Sequence, residues 1–265
     1  MSQFKDKVIW ITGASSGIGE ALALQLAKEG ARLILSARRE EGLKRVGKQT
    51  NLPDLDLMLL PFDLNSTFNA SGLAAQVINK FGRIDVLINN GGQSQREEAL
   101  KTSEATERQL MEVNYFSQVN LAKSVLPYMI RQKSGHIVVV SSIAGKFGFY
   151  LRSTYSAAKH ALHGYFETLR LETESKGIKV LMVCPGKIRT NISFNATLGK
   201  GEAHGKMDGS HENAISAEEC AKQIILGIKN NKEEIFIGGK ELKAVTLRRF
   251  FPKRFWNIIR KQNPY

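Results

Sequence analysis

The chain has 265 residues, 42% of them hydrophobic, with 6 prolines and 23 glycines, which is typical of one large globular domain and excludes a disordered or fibrous protein. Its two cysteines form no CxxC pair, and the sequence has neither a signal-peptide pattern nor an apolar run of membrane length. We therefore expect a cytoplasmic location and no disulfide framework. The net charge of +13 is uneven, because residues 240–265 carry eight Lys or Arg and one Glu, more than half of the excess.

A glycine-rich turn follows the first predicted strand. Residues 7–11 are apolar, and Thr12-Gly13-Ala14-Ser15-Ser16-Gly17-Ile18-Gly19 connects them to a helix predicted over 20–29. Glycines let the backbone approach a phosphate closely, and a helix N-terminus offers free N–H groups and a positive dipole end. The turn predicts a dinucleotide site, although its spacing is not GxGxxG and a glycine-rich turn can also be only a turn.

The second predicted strand, over 31–36, ends in Ala37-Arg38-Arg39. An acidic residue after this strand would bind the ribose 2′-hydroxyl of NAD(H), whereas arginine offers a charge-assisted fork to a phosphate. Arg38 and Arg39 therefore favour NADP(H). The alternative is a pair of solvated arginines at the start of a helix.

Two further strands end in polar residues. Residues 57–62 precede Asp63-Leu64, after which Asn65 or Ser66 is expected to cap a helix that ends near Gly82. Residues 84–88 precede Asn89-Asn90-Gly91-Gly92. Ligands of open α/β sheets bind at the carboxyl ends of strands, so both ends are candidate sites, although Asp63 can also be a turn acid.

A long helix is predicted over 104–133, with Pro127 marking a kink or a joint between two segments. Asn114 lies inside it, where asparagine has poor helix propensity. It is either a solvated side chain or a residue with a specific role.

The next strand, over 137–140, ends in Ser141-Ser142, and a helix with Tyr155 and Lys159 follows. Side chains four apart on a helix lie on one face, about one turn apart. If this helix packs beside the strand, a phenol, a hydroxyl and an ammonium group converge on one small volume.

The remaining chain completes an alternating pattern of strands and helices. A strand over 178–183 ends at Cys184-Pro185-Gly186, a helix is predicted over 216–228, and a further strand over 234–239. The intervening residues 191–213 are too long for an ordinary connection and predict a mobile substrate lid, here called the lid segment. The alternation predicts an α/β protein with one doubly wound parallel sheet of about seven strands, a Rossmann fold, over residues 1–239.

Residues 240–265, here called the C-terminal extension, interleave aromatic and aliphatic residues with Lys and Arg. Such a pattern is typical of an amphipathic helix on an anionic membrane surface. The alternative is an arm packed over the substrate pocket or a dimer partner. No metal site is predicted, because the histidines have no ligand-like spacing.

Five motifs in this order resemble the short-chain dehydrogenase/reductase (SDR) family. They are Thr12-Gly13-x-x-x-Gly17-x-Gly19, Asn89-Asn90-x-Gly92, Ser142 thirteen residues before Tyr155, Lys159 four residues after it, and Pro185-Gly186-x-Ile188-x-Thr190. The resemblance covers residues 5 to about 239. Residues 90–96, 156–161, 190–195 and 247–252 are similar to the branch called dehydrogenase/reductase SDR family member 7, near the 11β-hydroxysteroid dehydrogenase type.

The resemblance implies a catalytic role for each of four residues. Tyr155 would be the proton donor and acceptor, and Lys159 its electrostatic partner and a ligand of the ribose hydroxyls. Ser142 would hydrogen-bond the substrate oxygen, and Asn114 would hold a water that links Lys159 to solvent. The chemistry needs such a set because hydride transfer at a carbonyl requires an acid/base group whose pKa lies near the working pH. Free tyrosine has a pKa of about 10, and a neighbouring ammonium group lowers it.

The resemblance also implies that Tyr155 and Lys159 bind the cofactor together with a further set of residues. These are Gly13, Ser15, Ser16, Gly17, Ile18 and Gly19 around the pyrophosphate, Arg38 and Arg39 after the second strand, Asp63 and Leu64 at the adenine, Asn89 and Gly91 beside the adenosine ribose, and Pro185, Gly186, Ile188 and Thr190 at the nicotinamide.

Two departures from the family pattern affect what can be expected. Gly91 stands where the family usually has alanine, which should loosen that turn a little. Ile237-Gly238-Gly239 lacks the usual aspartate before two glycines. A tetramer built on that end is therefore less expected than a homodimer through the helices of Asn114 and Tyr155.

The sequence thus predicts an NADPH-preferring oxidoreductase that interconverts a ketone or aldehyde and an alcohol on a lipophilic, steroid- or retinoid-like substrate. Apolar residues expected at the pocket are Phe147, Phe149, Tyr150, Phe194 and Leu198.

Two alternatives stay open. A 3-oxoacyl-thioester reductase would use Lys146, Lys187 and Arg189 as a basic patch for an acyl carrier. A non-catalytic Rossmann module would instead use its basic face for nucleic acid or membrane. The intact tyrosine and lysine pair and the lack of a nucleic-acid motif speak against the second.

Overall fold

The computed structural model describes residues 2–192, 194–205 and 214–262. Its strands are β1 (Val8–Thr12), β2 (Arg32–Ser36), β3 (Leu57–Leu59), β4 (Val86–Asn89), β5 (Gly135–Val140), β6 (Ile178–Pro185), β7 (Ile188–Arg189), β8 (Ile215–Ser216) and β9 (Glu234–Ile237). Seven of them form one parallel sheet in the order β3-β2-β1-β4-β5-β6-β9, and β7 pairs with β8. The predicted α/β fold with a doubly wound sheet is confirmed.

Helices cover both faces of this sheet. They are α1 (Gly17–Lys28), α2 (Glu40–Thr50), α3 (Ala70–Phe81), α4 (Glu104–Met111), α5 (Ser117–Arg131), α6 (Ser153–Thr173), α7 (Ala217–Lys229), α8 (Lys243–Phe250) and α9 (Pro252–Arg260). Side chains alternate across β1, so that Ile9 packs with α1, α2 and α7 while Trp10 packs with α3, α5 and α6. Of the helices in the described ranges, none has the length and apolar character needed to cross a membrane.

The sheet winding reverses at β1, which has β2 on one side and β4 on the other. Thr12 at the end of β1 is in register with Ser36 of β2, and Ile11 with Ile88 of β4. The connections from these neighbouring strands leave in opposite directions, which opens a crevice at their carboxyl ends. Ligands of doubly wound sheets bind in such a crevice.

The predicted helix over 104–133 is interrupted, but not at Pro127. The interruption is a π-helical turn, Glu112–Phe116, between α4 and α5. Its centre is Asn114, whose side-chain amide donates to the Leu110 carbonyl oxygen at 2.9 Å. Pro127 lies inside a continuous α5, because buried residues on either side of it, Val125 and Met129, hold the helix against the sheet.

Two other helix starts differ from prediction. Asp63 forms a turn, in which its carboxylate accepts from the Asn65 amide at 2.9 Å, so α3 begins only at Ala70. Its N-cap is Asn69, whose side-chain oxygen accepts from the Gly72 amide at 2.8 Å. By contrast, α1 begins earlier than predicted, at Gly17. The end of the glycine-rich turn is therefore the first turn of a helix.

The described part of the C-terminal extension, residues 240–262, folds into a short 3-10 turn, Lys240–Leu242, followed by α8 and α9. Phe255 and Ile259 of α9 are buried against Ile143 and Phe147, which follow β5. Of the two predicted placements, the structure has the arm packed over the pocket region. Of the basic side chains of α8 and α9, Arg248 is half-buried over the rings of Phe255 and Trp256, and the others are exposed.

Candidate active site

Three polar side chains meet where β5 ends and α6 passes. The hydroxyl of Ser142 accepts from the Ala144 amide at 3.1 Å and lies 3.4 Å from the Pro185 carbonyl oxygen. The phenol of Tyr155, buried in the first turns of α6, lines one cavity with Ser142, whose hydroxyl is near enough to lower the pKa of the phenol. The structure thus brings the predicted serine and tyrosine together.

Lys159 lies one turn further along α6, on the same face. Its Nζ donates to the Val140 carbonyl oxygen at 2.9 Å and lies 5.8 Å from the centre of the Tyr155 ring. Burial lowers the pKa of Lys159 to about 8, an effect that the nearby Cys184 opposes. The ammonium group is therefore close enough to the phenol to act on its charge.

The protein alone does not lower the tyrosine pKa. Burial raises the pKa of Tyr155, while the nearby Ser142 hydroxyl and the charge of Arg152 oppose this rise. Neutral phenol is consequently the resting form, and it is the form that can donate a proton.

Asn114 is buried beside this group. Its Nδ2 donates to the carbonyl oxygens of Gln93 and Leu110, both at 2.9 Å, and its Oδ1 accepts from the Gln93 amide at 3.1 Å. A Cβ at Gly92 would lie 2.9 Å from that Oδ1 and 3.6 Å from Nζ of Lys159. Gly92 therefore keeps open a space that both the amide and the ammonium face.

The glycine-rich turn has the geometry of an anion cradle. Gly13 and Gly17 have φ values of +64° and +56°, which side chains disfavour, and a Cβ at Gly19 would collide with the Gly13 carbonyl oxygen. Helix α1 begins at Gly17, and its N-cap Ser16 makes no side-chain cap hydrogen bond. The residues present therefore fit a pyrophosphate group at the start of α1.

A second turn, after β4, braces the first. The amides of Asn90 and Gly91 both donate to Oγ1 of Thr12 at 3.0 Å, and Nδ2 of Asn90 donates to the carbonyl oxygens of Thr12 and Gly13 at 3.0 and 3.3 Å. Asn90 was not among the predicted ligands, although its motif was. A Cβ at Gly91 would meet Leu64 Cδ1 at 2.5 Å, so glycine allows Leu64 to pack against the turn.

The remaining predicted adenosine residues have partners within the protein. The Asp63 carboxylate is engaged by the Asn65 amide. Asn89 is buried, and its Nδ2 donates to the Gln118 carbonyl oxygen at 2.9 Å, whereas its Oδ1 has no hydrogen-bond partner among the described residues. Gln118 in turn donates to the Gly91 carbonyl oxygen at 3.0 Å, which supports the turn after β4.

Arg38 and Arg39 are exposed after β2, and the part of the chain that the structure describes gives neither an ion-pair partner. A third arginine, Arg45 of α2, was missed by sequence reasoning. It pairs with Glu20 at 2.6 Å and donates to the Ser15 carbonyl oxygen at 3.0 Å. Arg45 thus fixes the glycine-rich turn from the next helix.

The opposite end of the crevice is held by the C-terminal extension. Oε1 of Glu241 accepts from the amides of Lys187 at 2.8 Å and Gly239 at 3.1 Å, and a Cβ at Gly186 would collide with it. Thr190 packs against the glycine-rich turn, where a Cβ at Gly17 would lie only 3.1 Å from Thr190 Cγ2. The loop of residues 185–190 was predicted from the sequence, but the role of Glu241 in supporting it was not.

A cavity of about 230 Å³ opens from Ser142 and Tyr155. Its apolar lining is Ile143, Phe147, Phe149, Ile188, Ile192, Ala244 and Ile259, and its polar lining includes Ser94, Arg152, Lys187, Glu241 and Gln262. Tyr150 lines a neighbouring groove with Trp256, and Phe194 and Leu198 are not in the described cavity wall. Two of the five predicted apolar residues, Phe147 and Phe149, are therefore in place.

The described part of the lid segment is anchored beside the cavity. Thr197 is fully buried, its amide donates to the Ser94 carbonyl oxygen at 2.8 Å, and its carbonyl oxygen accepts from the Arg96 amide at 2.9 Å. Residues 193 and 206–213 of the predicted lid lie outside the described residues.

His163, Cys184 and Glu234 lie together behind Lys159, with potential ligand atoms within 4.8 Å of one another. The ammonium of Lys146 lies 2.6 Å from Oε1 of Glu234 and 3.2 Å from Nδ1 of His163. Burial also raises the pKa of the Cys184 thiol and keeps it protonated. Because Lys146 already supplies the positive charge, we interpret this cluster as an ion pair and propose no metal there.

Comparison with known proteins places this geometry in a family. The profile of the short chain dehydrogenase family matches residues 7–200. The human protein Dehydrogenase/reductase SDR family member 7 is 40% identical over 265 residues, covering 98% of this chain and 78% of its own length.

Solved structures agree with this match. A short-chain dehydrogenase from Streptomyces avermitilis is similar with a TM-score of 0.82 at 28% identity, over 98% of this chain and 100% of its own. A metagenomic short-chain oxidoreductase in complex with NADP has a TM-score of 0.73 at 27% identity, over 88% and 97% of the two chains. The chain therefore belongs to the short-chain dehydrogenase/reductase family of oxidoreductases, on the branch of dehydrogenase/reductase SDR family member 7.

Proposed function

We propose that the protein is an NADP(H)-dependent oxidoreductase that interconverts a ketone or aldehyde and an alcohol, with Tyr155 as the acid/base. The observation that carries the proposal is the convergence of the Ser142 and Tyr155 hydroxyls on one cavity, with the Lys159 ammonium 5.8 Å from the centre of the Tyr155 ring. Two hydroxyl groups at one end of an apolar cavity suit a carbonyl oxygen.

Each side chain has a defined part in the chemistry. Bound nicotinamide would supply the hydride to the carbonyl carbon. Tyr155, which burial keeps protonated, donates its proton to the substrate oxygen, and Ser142 orients that oxygen. The positive charge of Lys159 stabilises the phenolate that remains. Alcohol oxidation uses the same groups in reverse.

The proposed cofactor fits both ends of the crevice. The glycine-rich turn and the start of α1 would hold the pyrophosphate, and the loop that Glu241 supports would hold the nicotinamide. The exposed guanidinium groups of Arg38 and Arg39 support NADP(H) over NAD(H), because a 2′-phosphate needs cations at the end of β2.

The cavity wall supports a lipophilic substrate of steroid or retinoid character. Phe147, Phe149 and Ile259 give it an apolar surface. The alternative, a 3-oxoacyl thioester, is less supported, because Lys146 of the predicted basic patch is paired with Glu234.

NADPH oxidation with a panel of steroid ketones, retinals and 3-oxoacyl thioesters tests the proposal. Tyr155→Phe should lower kcat at least about 100-fold, since it removes the proton donor, and should weaken NADPH binding much less than that. The matched control is Tyr165→Phe, on the same helix but against Tyr115 and Phe166. Turnover that is unaffected by Tyr155→Phe would overturn the mechanism.

We also propose peripheral membrane contact through α8 and α9. Phe250, Phe251 and Ile258 are exposed there, next to Arg248, Arg249, Lys253, Arg254, Arg260 and Lys261. Exposed aromatic residues among cations suit an anionic bilayer surface. Sedimentation with anionic vesicles, but not neutral ones, is expected, and the double substitution F250E/F251E should abolish it. Equal recovery with both kinds of vesicle, or with neither, would contradict the proposal.

The homodimer is likewise proposed through the helices that carry Asn114 and Tyr155. Phe116, in the π-helical turn, is 48% exposed and Leu171 of α6 is 77% exposed, although both are apolar. A second copy of the chain would cover them. Light scattering should give a dimer that Leu171→Glu weakens, and a monomeric wild type would refute it.

A further inference from the structure

Gln95 follows the turn after β4 and is fully buried, although it has a polar side chain. Both ends of its amide are used. Oε1 accepts from the backbone amides of Thr154 and Tyr155 at 2.9 and 3.1 Å, and Nε2 donates to the hydroxyls of Thr102 and Ser153 at 2.9 and 3.3 Å.

We propose that Gln95 is a positioning residue that caps the catalytic helix α6 from outside and thereby fixes the backbone of Tyr155. This inference rests on the acid/base role proposed above for Tyr155. Gln95 is fully buried and does not line the cavity, so it would act through the helix.

Helix α6 needs such a partner because its own N-cap cannot serve. The first N–H groups of a helix have no acceptor within the helix. The N-cap residue is Arg152, whose side chain has no acceptor atom and makes no cap hydrogen bond. Gln95 supplies the missing acceptor from a segment 60 residues before Tyr155.

The surroundings determine which way the amide points. The Thr102 hydroxyl donates its hydrogen to the Glu98 carbonyl oxygen at 2.8 Å, so toward Gln95 it can only accept. Nε2 must therefore face Thr102, and Oε1 must face the two helix amides. A flipped amide would set donors against donors at Thr154 and Tyr155.

The same stretch of chain also contacts the described part of the lid segment. The backbone of residues 94–97 pairs with Thr197 through Ser94 and Arg96, and the Gln95 carbonyl oxygen accepts from Arg152 Nη1 at 3.1 Å. Ser94 lines the cavity. Gln95 therefore connects the cavity edge and the lid segment to the first turn of the catalytic helix.

Two substitutions separate this role from simple packing. Gln95→Met keeps the size but removes the acceptor, and a misplaced Tyr155 should lower kcat on the order of tenfold to a hundredfold with little change in KM for NADPH. Gln95→Glu is the conservative variant, because a fully buried carboxyl stays protonated and can then donate to Thr102 while its other oxygen accepts from the two helix amides. It should therefore restore kcat to near the wild-type value, which a substitution that acted only through packing would not predict.

Gln132→Met is the matched control. Gln132 also uses both ends of its amide on backbone, at Ile84, but lies at the opposite end of the sheet. It should lower stability without changing kcat or the pH–rate profile. The inference is overturned if Gln95→Met behaves in the same way.

Amide hydrogen exchange gives a readout that does not depend on activity. In Gln95→Met, exchange at residues 154 and 155 should rise while the rest of α6 stays protected, and unchanged exchange there would overturn the capping role. If the Tyr155→Phe variant keeps the turnover of the wild-type enzyme, the acid/base role of Tyr155 is overturned instead. The exchange comparison would then still support or overturn the cap.

Discussion

Lys159 holds its Nζ 2.9 Å from the carbonyl oxygen of Val140, the last residue of β5. A side chain of α6 is thereby tied to the sheet at the strand end that delivers Ser142. Among the described residues no carboxylate pairs with this ammonium, so burial dominates and lowers its pKa to about 8. The charge that supports Tyr155 is therefore present at neutral pH and titratable just above it.

The first prediction concerns pH. Because the folded-state pKa of Lys159 is depressed to about 8, the ammonium is present below that pH and is lost as the pH rises through it. We expect kcat for carbonyl reduction to fall above pH 8, since the phenolate loses its stabilising charge. Lys159→Arg keeps the charge throughout this range and should remove the alkaline limb, whatever its absolute rate. A wild-type profile that stays flat through this pH would contradict the role of Lys159.

The second prediction concerns cofactor choice. Arg38→Ala should weaken NADPH binding about 10- to 100-fold, because it removes a charged hydrogen bond to phosphate, and should leave NADH binding nearly unchanged. Titration of both cofactors by fluorescence measures this. Arg131→Ala, on α5 against Tyr128, is the control. Equal losses for the two cofactors would show that Arg38 does not select the phosphate.

The third prediction compares two glycines in helices. A Cβ at Gly19 would collide with the Gly13 carbonyl oxygen and lie 2.7 Å from Asn90 Nδ2, so Gly19→Ala should distort the cradle and weaken NADPH binding. Apart from the backbone of α6 itself, no atom of the described residues lies within 4 Å of a Cβ at Gly164. Gly164→Ala should therefore raise the free energy of unfolding by about 0.5–1 kcal/mol and leave NADPH binding intact. Urea unfolding and NADPH titration test both, and tight NADPH binding by Gly19→Ala would argue against the cradle.

The fourth prediction concerns the C-terminal extension. Phe255 is 1% exposed, and its ring centre lies 5.0 Å from that of Phe147. Phe255→Ala should cost about 3 kcal/mol or more of stability and raise KM for lipophilic ketones, because it removes support for the cavity wall. Phe250 is 64% exposed, so Phe250→Ala should change stability by less than about 0.5 kcal/mol. Equal effects of the two substitutions would mean that α9 does not form part of the wall.

Local patterns in the sequence were sufficient for the elements and for much of the candidate site. The strands were predictable from apolar runs that end in polar residues, because a parallel sheet buries both faces of a strand and collects the carboxyl ends at one edge. Tyr155 and Lys159 could be placed on one face because helical spacing alone sets that relation. The glycine-rich turn was recognisable because positive φ values and close approach need glycine.

Contacts between distant segments could not be predicted in this way. The break around Asn114 depends on its bonds to Gln93, and the start of α6 depends on Gln95. Glu241 was counted only as the one acid in a basic tail, since nothing local shows that it holds Lys187 and Gly239.

By itself, then, the sequence determined the order of the elements, the chemistry of the strand ends and the pairing of Tyr155 with Lys159, because these follow from periodicity and spacing within a few residues. Only the tertiary structure decided where the helix around Asn114 breaks, which residue caps α6 and where the C-terminal extension packs. The physical reason is that a buried amide or aromatic ring is satisfied by whatever the folded chain brings beside it, and no local pattern records that neighbour.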